Sequence, residues 1–124
     1  MAIRWKRLKY SFSHAIDGIR EAWETQQNFK IHTFFTLFVL ILSIIFKLSL
    51  IEFAFVFMSI MFVVVSELIN TSIEYFADFV HSDYNEAVKK VKDISAAAVL
   101  ISVFTSTITG LLIFIPKMYC LLFC

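Results

Sequence analysis

The sequence has little glycine and little charge. Its two glycines, Gly18 and Gly110, are too few and too far apart for a phosphate-binding loop or a GxGxxG dinucleotide fingerprint. Charged residues make up 17% of the 124 residues, against about 25% in soluble proteins. The net charge is only +1, so we expect no nucleic-acid partner, since such a partner requires a clustered basic face.

The sequence also lacks the features of a secreted, disulfide-bonded protein. Its two cysteines, Cys120 and Cys124, are too few and too close together for a disulfide framework. Lipidation or redox chemistry at these cysteines remains a minor alternative. We expect no signal peptide, because the N-terminus opens with an amphipathic stretch and not with a short apolar core before a cleavage site.

Apolar residues are abundant: 60% of the chain is hydrophobic, and phenylalanine alone contributes 15 residues. A water-soluble domain of this length could not bury so much apolar surface. We therefore predict an all-α integral membrane protein that forms a single domain over residues 1–124.

Three apolar segments are long enough to be predicted as membrane-spanning helices, at residues 29–51, 53–80 and 94–116. The third contains no charged residue and exceeds the roughly 20 residues that a span requires. The first is extended past its uncharged run by allowing Lys47 to snorkel. The second is predicted to continue as a helix beyond Val65, followed by a loop over residues 81–93.

The basic residues indicate an orientation. Nine lie before the uncharged run of the first span, which begins at Thr33, or between the second and third spans, and two, Lys47 and Lys117, lie on the opposite side. The positive-inside rule then predicts a cytoplasmic N-terminus and a cytoplasmic 81–93 loop. The nine are Arg4, Lys6, Arg7, Lys9, Arg20, Lys30, Lys89, Lys90 and Lys92.

An amphipathic helix is predicted over residues 3–25. Its apolar side chains recur every three or four residues and form one narrow stripe, with a tryptophan near each end. They are Trp5, Leu8, Phe12, Ile16, Ile19 and Trp23. We predict a helix lying along the cytoplasmic interface, which either anchors the protein or covers an active site.

The second span carries four polar residues at helical spacing, Glu67, Asn70, Glu74 and Asp78, hereafter the polar stripe. Charges in hydrocarbon are costly, so these side chains should face protein, water or a metal ion. They could bind Mg²⁺, supply a general base, or form a proton or cation path. A solvated helix end is the simpler alternative.

Two further patterns bear on function. Three lysines are predicted to lie on the same cytoplasmic side of the membrane as the carboxylates: Lys89, Lys90 and Lys92. They could neutralise phosphates, or they could be only a positive-inside topology signal. A ladder of small residues on the third span permits close helix packing. It consists of Ala98, Ser102, Ser106 and Gly110. A three-helix protomer has little room to surround the polar stripe, so we expect self-association.

Two segments, ELINTSIEYFAD at 67–78 and KDISAAAVL at 92–100, resemble the prokaryotic diacylglycerol kinase family. The pattern of that family is E-x-x-N-(S/T)-x-x-E-x-x-x-D, then a short loop and K-D-x-x-(S/A)-A-A-V. The resemblance extends over almost the whole chain. Three further segments, SFSHAIDGI, NFKIH and GLLIFIPK, are more similar to the undecaprenol kinase branch.

The resemblance implies a lipid kinase of the bacterial inner membrane. It implies a homotrimer with three membrane helices and a surface helix per protomer, and active sites between protomers. The enzyme would use Mg²⁺ and transfer the γ-phosphoryl group of ATP to a membrane lipid alcohol, with undecaprenol preferred and diacylglycerol as the alternative. An impaired homologue, or a non-enzymatic oligomer that conducts ions or protons, also remains open.

The resemblance also implies residue roles. Glu67 would be the general base on the lipid hydroxyl, Glu74 would bind Mg²⁺ that bridges to ATP, and Asn70 would orient that site. Asp78, Lys92 and Asp93 would complete the site, with Lys92 on the phosphates. The expected nucleotide contacts are Arg7, His14, Asp83, Tyr84 and Asn85.

One position departs from the family pattern. The family carries a second metal-binding glutamate just before NF, where this chain has Gln26. An amide oxygen can bind Mg²⁺ but lacks the negative charge. Glu24 lies about 200° around the helix and cannot replace it without rearrangement. We predict a working enzyme with a raised Mg²⁺ requirement, in which Gln26 is a metal ligand.

Overall fold

A computed structural model describes residues 5–81 and 83–123, and over this range the chain forms four helices and no strand. The prediction of an all-α fold is confirmed. Ile3 and Arg4, the first two residues of the predicted surface helix, lie outside the described residues, as does Cys124. The helices are α1 (Trp5–Thr25), α2 (Gln27–Ile45), α3 (Leu50–Val80) and α4 (Glu86–Phe123).

Three of the four helices, α2, α3 and α4, are long and apolar enough to cross a membrane. Most of their large apolar side chains are exposed in the single chain, as expected where lipid or another protein is the surrounding medium. The remaining helix, α1, is amphipathic, and both of its tryptophans, Trp5 and Trp23, are exposed. The chain therefore has the predicted arrangement of one amphipathic helix and three apolar ones.

Gln26 separates α1 from α2. Its backbone is extended, with φ −102° and ψ 113°, and its side chain makes no capping hydrogen bond. The Gln26 N–H still donates to the Ala22 carbonyl at 2.9 Å, so the interruption is confined to one residue. Ala22 and Phe29, on either side of the break, are both buried.

The turn between α2 and α3 differs from the predicted spans. Residues 46–49 are not helical and Lys47 has a positive φ of 49°, whereas the predicted span 29–51 continues through them. The cause is a capping box that starts α3 at Leu50. Ser49 Oγ accepts from the Glu52 N–H at 3.3 Å, and Glu52 Oε2 accepts from the Ser49 N–H at 2.7 Å.

The segment between α3 and α4 is also shorter than the predicted 81–93 loop, because α4 begins at Glu86. Asn85 provides the reason: its Oδ1 accepts from the N–H groups of Ala87 at 2.9 Å and Val88 at 3.3 Å. These are two of the N–H groups that a helix start leaves without a partner. Residues 86–93 are therefore helical.

α4 packs mainly against α3. Ser102 is completely buried, and Ser106 Oγ donates to the Ser59 carbonyl of α3 at 2.9 Å. At Ser102 and Ser106 the small-residue ladder therefore packs against α3 of the same chain. Ala98, one ladder position before Ser102, is exposed. The close packing of α3 on α4 sets the position of the polar stripe relative to the start of α4.

Candidate active site

Burial falls steeply along the polar stripe. Glu67 is 2% exposed and Asn70 is buried, whereas Glu74 is half-buried and Asp78 is exposed. The alternative of a solvated helix end therefore describes Asp78 but not Glu67 or Asn70. The stripe extends from a buried carboxyl group inside the helix bundle to an exposed carboxylate near the end of α3.

The buried part of the stripe has unfilled hydrogen-bonding capacity. Asn70 Nδ2 donates to Glu74 Oε1 at 3.0 Å. Three buried side-chain atoms on the same turn have no hydrogen-bond partner within residues 5–81 and 83–123: Glu67 Oε2, Asn70 Oδ1 and Thr71 Oγ1. Since buried polar atoms in folded proteins are almost always hydrogen-bonded, these three atoms mark a place where a ligand or another group can bind.

Lys92 connects the stripe to α4. Its Nζ lies 2.5 Å from Asp78 Oδ1, which places a cation near the exposed end of the stripe. Lys90, by contrast, pairs with Glu86 one turn away on its own helix at 3.0 Å, and Lys89 is exposed. Of the three lysines singled out in the sequence, Lys92 is the one that contacts the stripe.

The other residues expected to bind nucleotide are not joined to the stripe by any hydrogen bond or ion pair that the described residues make. All of them except Asn85 are exposed. Asn85 is half-buried, and its side chain caps α4. The exposed ones are Arg7, His14, Asp83, Tyr84 and Asp93.

The oxygen ligands of the stripe suit Mg²⁺. Carboxylate and amide oxygens are its preferred ligands, and proteins usually bind it through one or two carboxylates together with substrate phosphates. Within the described residues, no group of three or more His, Cys, Asp or Glu side chains is close enough to hold a metal ion. Glu74 and Asn70 supply oxygen atoms of this kind, and Asn70 Oδ1 has no hydrogen-bond partner among the described residues.

The structure adds a contact that sequence reasoning missed. The Tyr75 hydroxyl lies 3.1 Å from Glu21 Oε1 and 2.8 Å from Thr25 Oγ1. This contact joins the end of α1 to α3, next to Glu74 in the chain. Tyr75 follows Glu74 directly in the motif, but no sequence pattern indicated that α1 would reach it.

Similarity to known proteins is extensive. Residues 13–114 match the family model described as prokaryotic diacylglycerol kinase. The chain is 39% identical to undecaprenol kinase from Bacillus subtilis over an alignment of 108 residues. That alignment covers 87% of this chain and 88% of the B. subtilis protein. Identity to a diacylglycerol kinase from Synechocystis is 34% over 116 residues, which cover 93% of this chain and 66% of that protein. For a Helicobacter pylori diacylglycerol kinase it is 32% over 107 residues (86% and 84% covered).

A bundle of apolar helices around a buried carboxyl group is typical of membrane proteins that act on or transport a ligand at that group. With the matches above, the chain belongs to the prokaryotic diacylglycerol kinase family. It is a lipid kinase, a phosphotransferase with an alcohol group as acceptor. The family resemblance noted from the sequence is thereby confirmed. Arg7 lies outside the matched residues.

Proposed function

We propose that this protein transfers the γ-phosphoryl group of ATP to the hydroxyl group of a membrane lipid alcohol, and that the acceptor is undecaprenol. The observation that carries the proposal is the environment of the Glu67 carboxyl group. The Glu67 side chain is 2% exposed and its Oε2 has no hydrogen-bond partner among the described residues. Asn70, which donates to Glu74, lies within one turn of it. A buried, unpartnered carboxyl group beside oxygen ligands is suited to accept a proton from a bound alcohol.

In the proposed reaction the alcohol oxygen attacks the γ-phosphorus of ATP. The bond from that phosphorus to the oxygen bridging it to the β-phosphate breaks, and ADP leaves. Glu67 takes the proton of the alcohol and later releases it to water. The residues thus do little covalent chemistry themselves, as in other phosphoryl transfers, and act by positioning and by charge.

Glu74 would bind Mg²⁺, Asn70 would orient that site, and Gln26 would be a further metal ligand. When bound, Mg²⁺ neutralises charge on the transferring phosphoryl group. Asp78, Lys92 and Asp93 would complete the site, and the Lys92–Asp78 ion pair keeps the lysine where phosphates could share it. Nucleotide contacts are proposed for five more residues: Arg7, His14, Asp83, Tyr84 and Asn85.

We further propose a homotrimer with active sites shared between protomers. In support, the Asp78 and Lys92 side chains remain 63% and 34% exposed in one chain. The trimer would lie in the bacterial inner membrane. By the positive-inside rule, the N-terminus, residues 81–85 and the start of α4 would face the cytoplasm.

The choice of undecaprenol is supported by the higher identity to the B. subtilis undecaprenol kinase, at 39%. Diacylglycerol is the second candidate, favoured by the two relatives named diacylglycerol kinase at 34% and 32% identity. Both lipids present a primary hydroxyl group at the membrane interface, so the same proton transfer to Glu67 would serve either one.

A phosphorylation assay on the purified protein in mixed micelles tests the proposal. ATP and Mg²⁺ would be supplied, undecaprenol and diacylglycerol offered in parallel, and the Glu74→Gln variant used as the blank. We expect phosphorylated undecaprenol with the wild-type protein and none with the blank. Product from diacylglycerol alone would change the acceptor.

The same assay separates the kinase from its rivals. A non-enzymatic oligomer that conducts ions would leave Lys92 and its ion pair with Asp78 without a role, and it would yield no product. An impaired homologue would yield none across a wide Mg²⁺ range. Either result would overturn the proposal, and Gln26 would be the first residue to change.

A further inference from the structure

Tyr75 directly follows Glu74 in the chain, and the roles proposed above leave it unused. Its hydroxyl group lies 2.8 Å from Thr25 Oγ1 and 3.1 Å from Glu21 Oε1, both at the end of α1. Thr25 Oγ1 donates its own proton to the Glu21 carbonyl at 2.7 Å. The two α1 oxygens are therefore acceptors, and they share the single proton that a tyrosine hydroxyl group can donate.

The rest of the contact between α1 and α3 is made by small side chains. α1 presents Ala15, Gly18 and Ala22 to α3, and a gap of about 290 Å³ remains between the two helices beside Tyr75. Ala22 is buried, but one methyl group makes few dispersion contacts. Among the residues that the structure describes, the side-chain hydrogen bonds between α1 and α3 are those of Tyr75. The tyrosine hydroxyl group consequently determines which turn of α1 is held on α3.

This contact joins the two chain segments that carry proposed metal ligands. Thr25 precedes Gln26 and Tyr75 follows Glu74, and consecutive Cα atoms are only about 3.8 Å apart. Gln26 lies between two helices, with an extended backbone and no capping hydrogen bond from its side chain. Helix geometry therefore does not fix its orientation. The Tyr75 hydroxyl group holds the residue before Gln26 against the residue after Glu74.

We propose that Tyr75 is a positioning residue for the Mg²⁺ site, whose hydroxyl group holds the end of α1 on α3 so that Gln26 is in place for the ion that Glu74 binds. This inference rests on the proposed function and deepens it. An amide oxygen lacks the charge with which a glutamate would attract the ion. A ligand that is already in position loses less conformational freedom on binding, so the Tyr75 contact offsets part of that lost affinity.

The first test measures the Mg²⁺ requirement of Tyr75→Phe, which removes the hydroxyl group and keeps the ring. Tyr75 is 43% exposed, so water replaces part of the lost hydrogen bond. We expect the Mg²⁺ concentration for half-maximal activity to rise roughly twofold to fivefold. The kcat at saturating Mg²⁺ and the KM for the lipid should keep their wild-type values. Tyr119→Phe is the matched control, because Tyr119 follows Lys117, which pairs with Glu52 in the first turn of α3.

A double-mutant cycle tests whether Tyr75 acts through Gln26. Once Gln26→Ala has removed the ligand, the position of the α1 end no longer matters to the ion. Adding Tyr75→Phe should then raise the Mg²⁺ requirement no further. The same fold increase in both backgrounds would overturn the positioning role. A raised KM for the lipid with an unchanged Mg²⁺ requirement would overturn it too, because the hydroxyl group would then serve the acceptor.

Hydrogen exchange of backbone amides provides a readout without metal or turnover. It is measured on the wild-type protein and on Tyr75→Phe in the same micelles. Residues 19–26 should exchange roughly twofold to fivefold faster in the variant, while α4 is unchanged, since the lost hydrogen bond lowers the free energy of local opening. Equal exchange in the two proteins would overturn the inference. Faster exchange along the whole chain would also overturn it, because that result indicates a general loss of stability.

The two readouts separate this inference from the proposed function. Faster local exchange together with a raised Mg²⁺ requirement is the expected result. Faster local exchange with an unchanged Mg²⁺ requirement in an active enzyme would overturn the positioning role and leave the kinase intact. A wild-type protein that phosphorylates no lipid at any Mg²⁺ concentration would overturn the proposed function, and with it the role of Tyr75 at the Mg²⁺ site.

Discussion

Two glutamates of α3, Glu52 in its first turn and Glu67 near its middle, differ in how their carboxyl oxygens are hydrogen-bonded. At the Leu50 end, Glu52 Oε2 accepts from the Ser49 N–H at 2.7 Å and lies 2.9 Å from Lys117 Nζ of α4. Near the middle of α3, Glu67 is far more deeply buried, yet its Oε2 has no hydrogen-bond partner in the part of the chain that the structure describes. One carboxylate has its hydrogen bonds satisfied within the chain, and the other does not.

This difference separates residues that stabilise the fold from residues held ready for a ligand. An unsatisfied buried polar group costs about 1–3 kcal/mol, so selection for stability alone would remove it. Polar groups kept at that cost are typical of functional sites, where activity and stability conflict. The comparison predicts that changes near Glu67 affect catalysis and changes near Glu52 affect stability.

The largest of three expected effects is that of Lys92→Met, which removes the cation near the Val80 end of α3. We expect kcat/KM for ATP to fall roughly tenfold to a hundredfold, since hydrogen bonds to charged groups are the stronger ones. Steady-state kinetics with varied ATP measures this. Lys90→Met is the matched control, because it breaks the exposed Lys90–Glu86 pair and should leave kcat/KM unchanged. Equal losses in both variants would contradict a specific role for Lys92.

A smaller effect is expected from Gln26→Glu, which adds a negative charge at the proposed metal ligand. The Mg²⁺ concentration for half-maximal activity should fall severalfold, because ligand charge raises affinity for a hard cation. Activity titrated with Mg²⁺ at saturating ATP measures the change. Gln27→Glu, at the exposed next residue, is the control. An unchanged Mg²⁺ requirement in Gln26→Glu would remove Gln26 from the site.

The smallest effect on activity is expected at the Leu50 end. Ser49→Ala removes the capping side chain of α3, and the loss of such a cap costs about 1 kcal/mol of stability. Equilibrium unfolding in detergent should register this loss, while kcat and both KM values stay at wild-type levels. Ser49→Thr, which can keep the cap, should be nearly neutral. A clear fall in kcat for Ser49→Ala would contradict the claim that changes near Glu52 affect stability and not catalysis.

Much of the fold could be predicted from sequence, because the signals are local. Apolar runs without charge identify the three long helices, and the spacing of Trp5 to Trp23 identifies α1. The boundaries were less accurate where a cap decides them. Both α3 and α4 begin earlier than the apolar pattern indicates, because a capping box of Ser49 and Glu52 starts α3 and the Asn85 side chain caps α4. The apolar pattern reports burial in lipid and not backbone hydrogen bonds.

The site could be predicted in part. The spacing of Glu67, Asn70 and Glu74 places them on one face of any helix, so the polar stripe could be predicted without knowledge of the tertiary structure. The Lys92–Asp78 pair and the Tyr75 contact with α1 depend on how helices pack, which the spacing does not determine. Thr71 was missed because serines and threonines inside helices usually bond to their own backbone, and only the structure shows that this one does not.

The central claim is that the unpartnered carboxyl group of Glu67 serves catalysis and not the fold. The most direct measurement is the activity and thermal midpoint of Glu67→Gln, with Glu52→Gln prepared in parallel. We predict that Glu67→Gln lowers kcat by roughly a hundredfold or more with a midpoint equal to or above that of the wild type. Glu52→Gln should lower the midpoint and leave kcat unchanged. The account would be contradicted if Glu67→Gln kept its activity, or lost it only together with a lowered midpoint.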